Sequence, residues 1–195
     1  MSVAGIILAA GESRRMGFPK ALLRFREESF LDTLIGLFAA RCEPVIVVLG
    51  AHAERIREGT RRPATFVSNA DYQRGQTSSM QCGLRAVPPD AEGVLFTLVD
   101  HPAVTAATLD ALLGGQAGMA RPLLRVPRHG GRRGHPVWFS RDLIAEFLEL
   151  PETGAARDIV RNHAAQTEFL DVDDAGILAD IDDPAAYGRL TGAPL

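Results

Sequence analysis

Residues 3–20 read VAGIILAAGESRRMGFPK, and this stretch decides the fold. Its first half, Val3 to Ala9, is an unbroken apolar run without polar alternation, which is typical of a strand buried on both faces of a parallel sheet. Its second half, Gly11 to Lys20, is a loop of 10 residues with three cations and two glycines. Parallel α/β sheets bind their ligands outside the carboxyl ends of the strands. The stretch therefore predicts an α/β fold with a binding loop directly after its first strand.

The rest of the chain continues the alternation of strands and helices. Two more apolar runs, Pro44 to Leu49 and Gly93 to Val99, predict further buried strands. Ser29 is predicted to cap the first helix. Weaker strands are predicted at Ala64–Val67, Leu123–Val126 and Val137–Phe139, and helices at Phe30–Phe38, Ala51–Glu58, Ser78–Ala86, Thr105–Leu113, Arg141–Leu148 and Ala155–His163. This order predicts an α/β three-layer sandwich with a mostly parallel sheet, in a single domain over residues 1–195.

The composition of the 195-residue chain excludes several classes of protein. A hydrophobic content of 46% with 23% charged residues is that of a globular protein rather than a disordered one. The net charge of −3 argues against a nucleic-acid-binding protein. No apolar stretch reaches the roughly 20 residues that span a bilayer, so no membrane association is expected. Cys42 and Cys82 have no paired spacing, which favours a reducing, cytoplasmic setting.

The loop after the first strand carries the one lysine of the chain, Lys20, among 21 basic residues. Small residues allow backbone N–H groups to converge on phosphate oxygens, and Arg15 and Lys20 supply positive charge, so the loop is predicted to hold phosphate. The dinucleotide fingerprint needs three glycines and the P-loop needs Gly-Lys-Ser/Thr, and this loop has neither pattern. A tight surface turn with incidental arginines is the alternative.

The pattern Leu8-Ala9-Ala10-Gly11-x-Ser13-x-Arg15-Met16-Gly17-x-x-Lys20 resembles the signature of the molybdopterin nucleotidyltransferase family. The resemblance implies a Rossmann-like nucleotidyltransferase fold in which this loop wraps the triphosphate of an NTP. It also implies nucleotide contacts from Leu8, Ala9, Ala10, Gly11, Ser13, Arg15 and Lys20, with Arg15 and Lys20 acting in catalysis. The Ala9-Ala10-Gly11 form is usual in cytidylyltransferases, whereas guanylyltransferases of the family usually have Leu-Ala-Gly-Gly. CTP is therefore the favoured nucleotide.

Two acidic positions are predicted to hold Mg²⁺, one at Asp100 and one in residues 180–184. Mg²⁺ prefers carboxylate oxygens and substrate phosphates as ligands. Asp100 ends a buried strand and precedes His101-Pro102, which resembles the family's catalytic, metal-binding aspartate; a turn cap is the alternative. Residues 180–184 resemble the family's closing element, with Asp182 as the second metal ligand and Asp180 in reserve. Asp183 stands where threonine is usual and is predicted to cap a helix that starts at Pro184.

Three other segments resemble family elements that contact the base or the acceptor. Residues 75–84 resemble a helix start near the base and sugar, which implies nucleotide contacts from Ser78, Ser79 and Gly83; isolated serines there are ordinary N-caps. Gly134-His135-Pro136 and residues 154–158 resemble acceptor-side elements, and a solvated hairpin tip is the alternative for the first. The implied acceptor-binding residues are Arg133, Gly134, His135 and Arg157, since planar guanidinium groups match phosphate oxygens.

The resemblance runs from Ile6 to Leu190 and implies a Mg²⁺-dependent nucleotidyltransferase. An acceptor phosphate attacks the α-phosphorus of CTP, or of another NTP, and pyrophosphate leaves. Molybdopterin is the favoured acceptor, and a protein partner would be a molybdoenzyme or a maturation chaperone. A transferase for a sugar or alcohol phosphate and a non-catalytic carrier of molybdenum cofactor are the alternatives.

Overall fold

The computed structural model describes residues 2–114, 122–151 and 153–192. The strands are β1 (Val3–Ala9), β2 (Arg24–Phe25), β3 (Glu28–Ser29), β4 (Val45–Leu49), β5 (Thr65–Ser68), β6 (Gly93–Leu98), β7 (Leu124–His129), β8 (Arg132–Arg133), β9 (Val137–Ser140) and β10 (Thr167–Asp171). The helices are α1 (Phe30–Ala39), α2 (Ala53–Gly59), α3 (Gln76–Leu84), α4 (Ala106–Gly114), α5 (Ile144–Glu149), α6 (Ala156–Asn162) and α7 (Pro184–Thr191). Short 3₁₀ turns lie at Lys20–Leu22, Tyr72–Arg74, Arg141–Leu143, Ala164–Gln166 and Ala175–Leu178.

The large sheet has the strand order β10-β7-β9-β6-β1-β4-β5, with β8 paired to β7. β1 pairs in parallel with β4 and β6, β4 with β5, and β7 with β10, whereas β9 is antiparallel to both of its neighbours. The predicted mostly parallel α/β architecture is therefore confirmed. The strands β2 and β3 form a separate small hairpin.

Alternate side chains of β1 enter two separate cores, one on each face of the sheet. Ile7 and Ala9 belong to the core that contains side chains of α1, α4 and α7. Ile6 and Leu8 belong to the core that contains side chains of α3, α5 and α6. None of these four side chains is more than 6% exposed. A strand covered on both faces must be apolar at successive positions, which explains the unbroken run in its sequence.

The reversed strand β9 brings an additional loop to the carboxyl edge of the parallel strands. Val137, at the start of β9, lies opposite Phe96, near the end of β6. The turn that precedes β9, residues 130–136, therefore lies at the edge where β6 leads into Asp100. β10 is parallel to β7, so the chain after Asp171 also continues from this edge.

The predicted elements are present with shifted ends, and three features were missed. The Asp32 N–H donates to the Ser29 hydroxyl at 3.0 Å, which confirms the predicted cap of α1. The helix predicted from Arg141 begins as a 3₁₀ turn before α5. β8, β10 and the β2–β3 hairpin were not predicted. β10 lacks an apolar pattern because Glu168, only 9% exposed, lies in it and accepts a hydrogen bond from Arg125 at 3.0 Å.

Within the described ranges, the helices are all too short or too polar to cross a bilayer.

Candidate functional site

The loop after β1 is shaped by hydrogen bonds within itself. The Met16 and Gly17 N–H groups donate to the Ser13 carbonyl oxygen at 3.0 and 3.2 Å. The Ser13 hydroxyl oxygen accepts from the Lys20 N–H at 3.0 Å. Gly17 adopts a left-handed conformation with φ of +64°, and Met16 is 4% exposed in the core. These contacts fix the path of the loop and deliver Lys20 to the carboxyl edge of the sheet.

The ammonium group of Lys20 lies between two carboxylates. Its Nζ donates to Asp100 Oδ2 at 2.8 Å and to Asp182 Oδ1 at 2.6 Å, and its side chain is 13% exposed. Arg15 donates to the other oxygen of Asp182. Burial lowers the pKa of Lys20, but the charges and hydrogen bonds of Asp100 and Asp182 outweigh it, so the pKa is raised and Lys20 stays charged. The structure thus brings Arg15, Lys20 and Asp100, the residues predicted as catalytic, together with Asp182.

Three aspartates form an acidic cluster around this ammonium group. Asp100, Asp180 and Asp182 each place a carboxylate oxygen within 4.8 Å of the other two. Burial and the neighbouring carboxylates raise the pKa of Asp180, whereas a hydrogen bond from Lys20 lowers that of Asp182. Asp100 Oδ1 is buried and has no hydrogen-bond partner among the described residues. An all-oxygen set with an unpartnered buried oxygen fits a hard divalent cation, and both Asp182 and the reserve residue Asp180 belong to it.

Asp183, the neighbour of Asp182, is the N-cap residue of α7. Its carboxylate accepts from the Ala186 N–H at 2.7 Å and caps α7, whose first residue is Pro184. The predicted cap is confirmed, and the neighbouring Asp182 faces Lys20, so it remains free of the capping role.

We expect Asp183→Ala to lower the free energy of unfolding by about 1 kcal/mol, because it removes the N-cap side chain of α7. Mn²⁺ binding should be unchanged, since Asp182 keeps its position. Denaturant unfolding and Mn²⁺ titration of one preparation test both expectations, with Asp182→Ala as the matched variant that should show the reverse pattern. Weakened Mn²⁺ binding at native stability in Asp183→Ala would contradict the assignment.

A cavity of about 300 Å³, here called the loop cavity, lies between the loop and the start of α3, with Asp100 in its lining. Its lining includes the predicted residues Leu8, Ala9, Ala10, Gly11, Ser13, Lys20, Ser79 and Asp100. Arg15 lies beside Asp182 rather than in this lining. The loop cavity therefore joins most of the residues that were predicted to bind the nucleotide.

Two residues predicted to contact the nucleotide, Ser78 and Gly83, are not part of this lining. The Ser78 hydroxyl accepts from Asn69 Nδ2 at 2.9 Å and is within 2.9 Å of the Gly75 carbonyl oxygen, to which it donates. Gly83 packs so closely on the sheet that a Cβ there would lie 2.8 Å from Val48 Cγ2. In the structure Ser78 stabilises the start of α3, and Gly83 allows α3 to pack closely against the sheet.

Tyr72, Gly75 and Gln76 also line the loop cavity and were not predicted as site residues. Asn69 was not predicted either; it lies behind this lining, is 8% exposed and donates through Nδ2 to the hydroxyl of the lining residue Ser79 at 3.0 Å. Asn69 directly follows β5, so it stands at a strand end as Asp100 nearly does. This position in the sequence could have indicated a place near the site, because ligands of such sheets bind outside the carboxyl ends of the strands.

A second cavity of about 430 Å³, here called the apolar cavity, adjoins the first. Arg133, Gly134, His135 and Arg157, the four residues expected to bind the acceptor, all line it. Its walls are otherwise mostly apolar and include Met80, Phe96, Leu124, Val126, Phe139, Phe147 and Val160. Gln76 lines both cavities, so they meet at the start of α3.

Two histidines connect the acidic cluster with the apolar cavity. His101 follows Asp100 directly, and the centroid of its ring lies 5.1 Å from that of His135. Burial lowers the pKa of His101 and lowers that of His135 to about 4, so both rings are neutral at pH 7. Within the described part of the chain, Nδ1 of each ring is buried without a hydrogen-bond partner. His101 was not predicted as a site residue, because its burial arises only in the folded chain.

Comparisons with known proteins match this chain over most of its length. The model of one family, described as the MobA-like NTP transferase domain, matches residues 5–167. The molybdenum cofactor cytidylyltransferase of Escherichia coli (strain K12) is 27% identical over 183 residues, covering 92% of this chain and 90% of that protein. The purine catabolism protein PucB of Bacillus subtilis (strain 168) is 29% identical and covers 97% of this chain and 96% of its own.

Solved structures share the fold along the whole chain. The crystal structure of Rv0371c from Mycobacterium tuberculosis H37Rv has a TM-score of 0.84 at 30% identity, covering 99% of this chain and 98% of that one. The complex of Rv0371C with manganese, also from Mycobacterium tuberculosis H37Rv, has a TM-score of 0.80 at 28% identity and covers 99% and 100% of the two chains. The family resemblance that was noted in the sequence is confirmed. With its loop after β1, its two adjoining cavities and a family match over most of its residues, the chain belongs to the MobA-like NTP transferase domains and is a nucleotidyltransferase.

Proposed function

We propose that this nucleotidyltransferase transfers CMP from CTP to molybdopterin that carries molybdenum, and releases pyrophosphate, in the cytoplasm. The observation that carries the proposal is the apolar cavity, which has two arginines in its lining and meets the loop cavity at Gln76. A cytoplasmic setting is supported by Cys42 and Cys82, which are free thiols.

The walls of the apolar cavity support an acceptor with a flat ring system and polarisable atoms. Aromatic and thioether side chains such as Phe96, Phe139 and Met80 suit a fused pterin ring and polarisable sulfur atoms. Arg133 and Arg157 offer planar donors for a phosphate group. A sugar or polyol phosphate would leave many hydroxyl groups facing apolar walls, which is costly for a buried hydroxyl.

The choice of CTP is supported by the loop and by a relative. Ala9-Ala10-Gly11 has the form usual in cytidylyltransferases of this family, and the relative from Escherichia coli is named a cytidylyltransferase. Ser79 lines the loop cavity at the start of α3, and its hydroxyl is held by Asn69 Nδ2 at 3.0 Å, so a polar group stands where the polar edge of a base would be met.

Catalysis in this proposal depends on positioning and charge rather than on a side-chain base. The acceptor phosphate is already ionised, so no proton has to be removed before it attacks the α-phosphorus. The loop backbone and the cations of Arg15 and Lys20 would hold the triphosphate and stabilise the charge on the departing pyrophosphate. Asp100 and Asp182, with Asp180 beside them, would hold Mg²⁺, which when bound neutralises phosphate charge and orients the two substrates.

The proposal is tested by measuring pyrophosphate release with ATP, CTP, GTP and UTP in turn, each with Mg²⁺ and molybdenum-loaded molybdopterin. We expect release with CTP and little with the other three nucleotides. Tight binding of the cofactor without turnover of any NTP would indicate a carrier instead of a transferase. CTP turnover only with a sugar or alcohol phosphate would overturn the acceptor assignment.

We expect Arg157→Ala to raise the KM for the acceptor about tenfold or more, because a hydrogen bond to a charged group contributes about 1.5–3 kcal/mol. The KM for CTP should stay native, since Arg157 lines the apolar cavity and not the loop cavity. Arg161→Ala is the matched control, because Arg161 lies on the same helix α6 but outside the lining of the apolar cavity. Initial-rate kinetics decide the matter, and an equal effect of the two variants would contradict the prediction.

A further inference from the structure

The carboxylate of Asp174 is buried and its hydrogen bonds are satisfied, yet it lies outside both cavities. Its Oδ2 accepts from the Thr105 N–H and the Thr105 hydroxyl, both at 2.8 Å, and from the Thr108 hydroxyl at 2.6 Å. Its Oδ1 accepts from the Gly176 N–H at 2.9 Å. Asp174 is 6% exposed. A buried carboxylate with four donors is a strong and directional anchor, because hydrogen bonds to charged groups are stronger than neutral ones.

These hydrogen bonds connect the two chain segments that build the acidic cluster. Thr105 ends the loop that begins at Asp100, directly before α4. Asp174 begins the segment that leads to Asp180 and Asp182. The contact between Asp174 and Thr105 therefore ties the segment that follows Asp100 to the segment that leads to Asp180 and Asp182. Residues 174–182 fall outside the range matched by the family model.

The segment after Asp174 has little freedom to move independently. A Cβ on Gly176 would lie 2.3 Å from the Ala103 carbonyl oxygen. Ile177 is fully buried, and its carbonyl oxygen accepts from the His135 N–H at 3.0 Å. The Ile181 N–H donates to the Asp100 carbonyl oxygen at 3.0 Å. A shift at Asp174 would thus be passed along the segment to the residues on either side of Ile181.

We propose that Asp174 is a positioning residue that sets the places of Asp180 and Asp182 relative to Asp100, and through them the affinity of the acidic cluster for a divalent cation. The inference rests on the metal-dependent reaction proposed above. Residues that hydrogen-bond directly to metal ligands typically change metal affinity or activity about 10- to 100-fold when they are replaced. Asp174 acts one step further out, through the backbone of residues 174–182, so the lower end of that range is expected. A purely structural role would lower stability and leave the affinity of the folded protein unchanged.

The test is Mn²⁺ binding to the purified protein, followed by the electron paramagnetic resonance signal of free Mn²⁺, at a temperature where circular dichroism shows each variant to be folded. We expect Asp174→Asn to weaken Mn²⁺ binding about tenfold, because the amide NH₂ group, a donor, then faces the donors of Thr105, Thr108 or Gly176 and displaces the segment. Thr108→Val removes a single donor and should weaken binding in the same direction by a smaller factor. Asp173→Asn, which removes the same charge from the exposed neighbouring position, is the matched control and should bind as the native protein does.

Native Mn²⁺ affinity in folded Asp174→Asn, or an equal loss in Asp173→Asn, would overturn the inference. The outcome does not depend on which nucleotide or acceptor is used. A native protein that binds Mn²⁺ but transfers no CMP would overturn the proposed function and leave the role of Asp174 to be decided by the binding data.

Discussion

Replacing Lys20 by methionine is expected to lower turnover about 100- to 1,000-fold and, at the same time, to tighten Mn²⁺ binding by the protein without nucleotide. The first effect follows from the loss of the cation that would stabilise charge on the leaving pyrophosphate. Losing one such preorganised donor typically costs about 100- to 1,000-fold in turnover. Methionine keeps the length and the apolar stem of the side chain, so the packing around it should be retained.

The second effect follows from the position of the ammonium group in the structure. Lys20 Nζ is bonded to Asp100 and Asp182, two of the three carboxylates that fit a divalent cation. A metal ion that enters this cluster without nucleotide must compete with a resident positive charge. A triphosphate bound as proposed would offer Lys20 other anionic partners and free the carboxylates. Nucleotide and metal are therefore expected to strengthen each other's binding in the native protein and less so in Lys20→Met.

Mn²⁺ titration with and without CTP, together with steady-state kinetics, measures both effects. Arg14→Met is the matched control, because Arg14 lies in the same loop but is 83% exposed and paired with Glu12. Lys20→Arg is the sharper variant: a planar guanidinium cannot replace a compact ammonium between two carboxylates without rearrangement. Near-native kinetics of Lys20→Arg, or weaker Mn²⁺ binding in Lys20→Met, would contradict this account.

Asp100→Asn is expected to lower turnover about 1,000-fold while the protein stays folded. Asp100 supplies the buried, unpartnered Oδ1 of the acidic cluster and one of the two carboxylate contacts of Lys20. A metal ion contributes several kcal/mol of charge stabilisation in such reactions, and each 1.36 kcal/mol is about a factor of ten in rate. Asparagine is nearly the same size as aspartate and still offers Lys20 an oxygen, so the thermal midpoint should change little.

The comparison that isolates the role of Asp100 is Asp110→Asn. Asp110 lies on α4, is 62% exposed and pairs with Arg41, so its variant also loses a carboxylate and an ion pair. Single-turnover rates at saturating CTP and Mg²⁺ should be native for Asp110→Asn. A loss for Asp100→Asn that disappears when the acceptor concentration is raised would contradict a role at the metal and indicate one in acceptor binding.

The parts of the fold that follow from local chemistry could be predicted from the sequence. Successive apolar residues in Val3–Ala9 predict a strand covered on both faces, and β1 is such a strand. Ser29 and Asp183 precede helices at positions where a side chain can accept from a free N–H, and both do so. Asp100 follows β6 closely, which places it at the edge where ligands of such sheets bind.

Features that depend on contacts between distant residues could not be predicted in this way. Lys20 is bonded to Asp100 and Asp182, which are 80 and 162 residues away in the sequence. Nothing in the sequence of the loop indicates that its lysine binds these carboxylates. The pairing of His101 with His135 likewise depends on the return of β9 beside β6. The resemblance to the family supplied expected roles for residues in the loop, but the contacts they make without ligand come from the tertiary structure.

The reversed strand β9 divides the sheet into two parts, and each part contributes to a different cavity. The loop cavity depends on the segments that follow β1, β5 and β6, whereas the arginine of the turn before β9 and that of α6 line the apolar cavity. The two halves touch chiefly at α3. If the cavities serve acceptor and nucleotide as proposed, exchange of residues 130–136 and of α6 would alter which acceptor is admitted and leave the lining of the loop cavity unchanged.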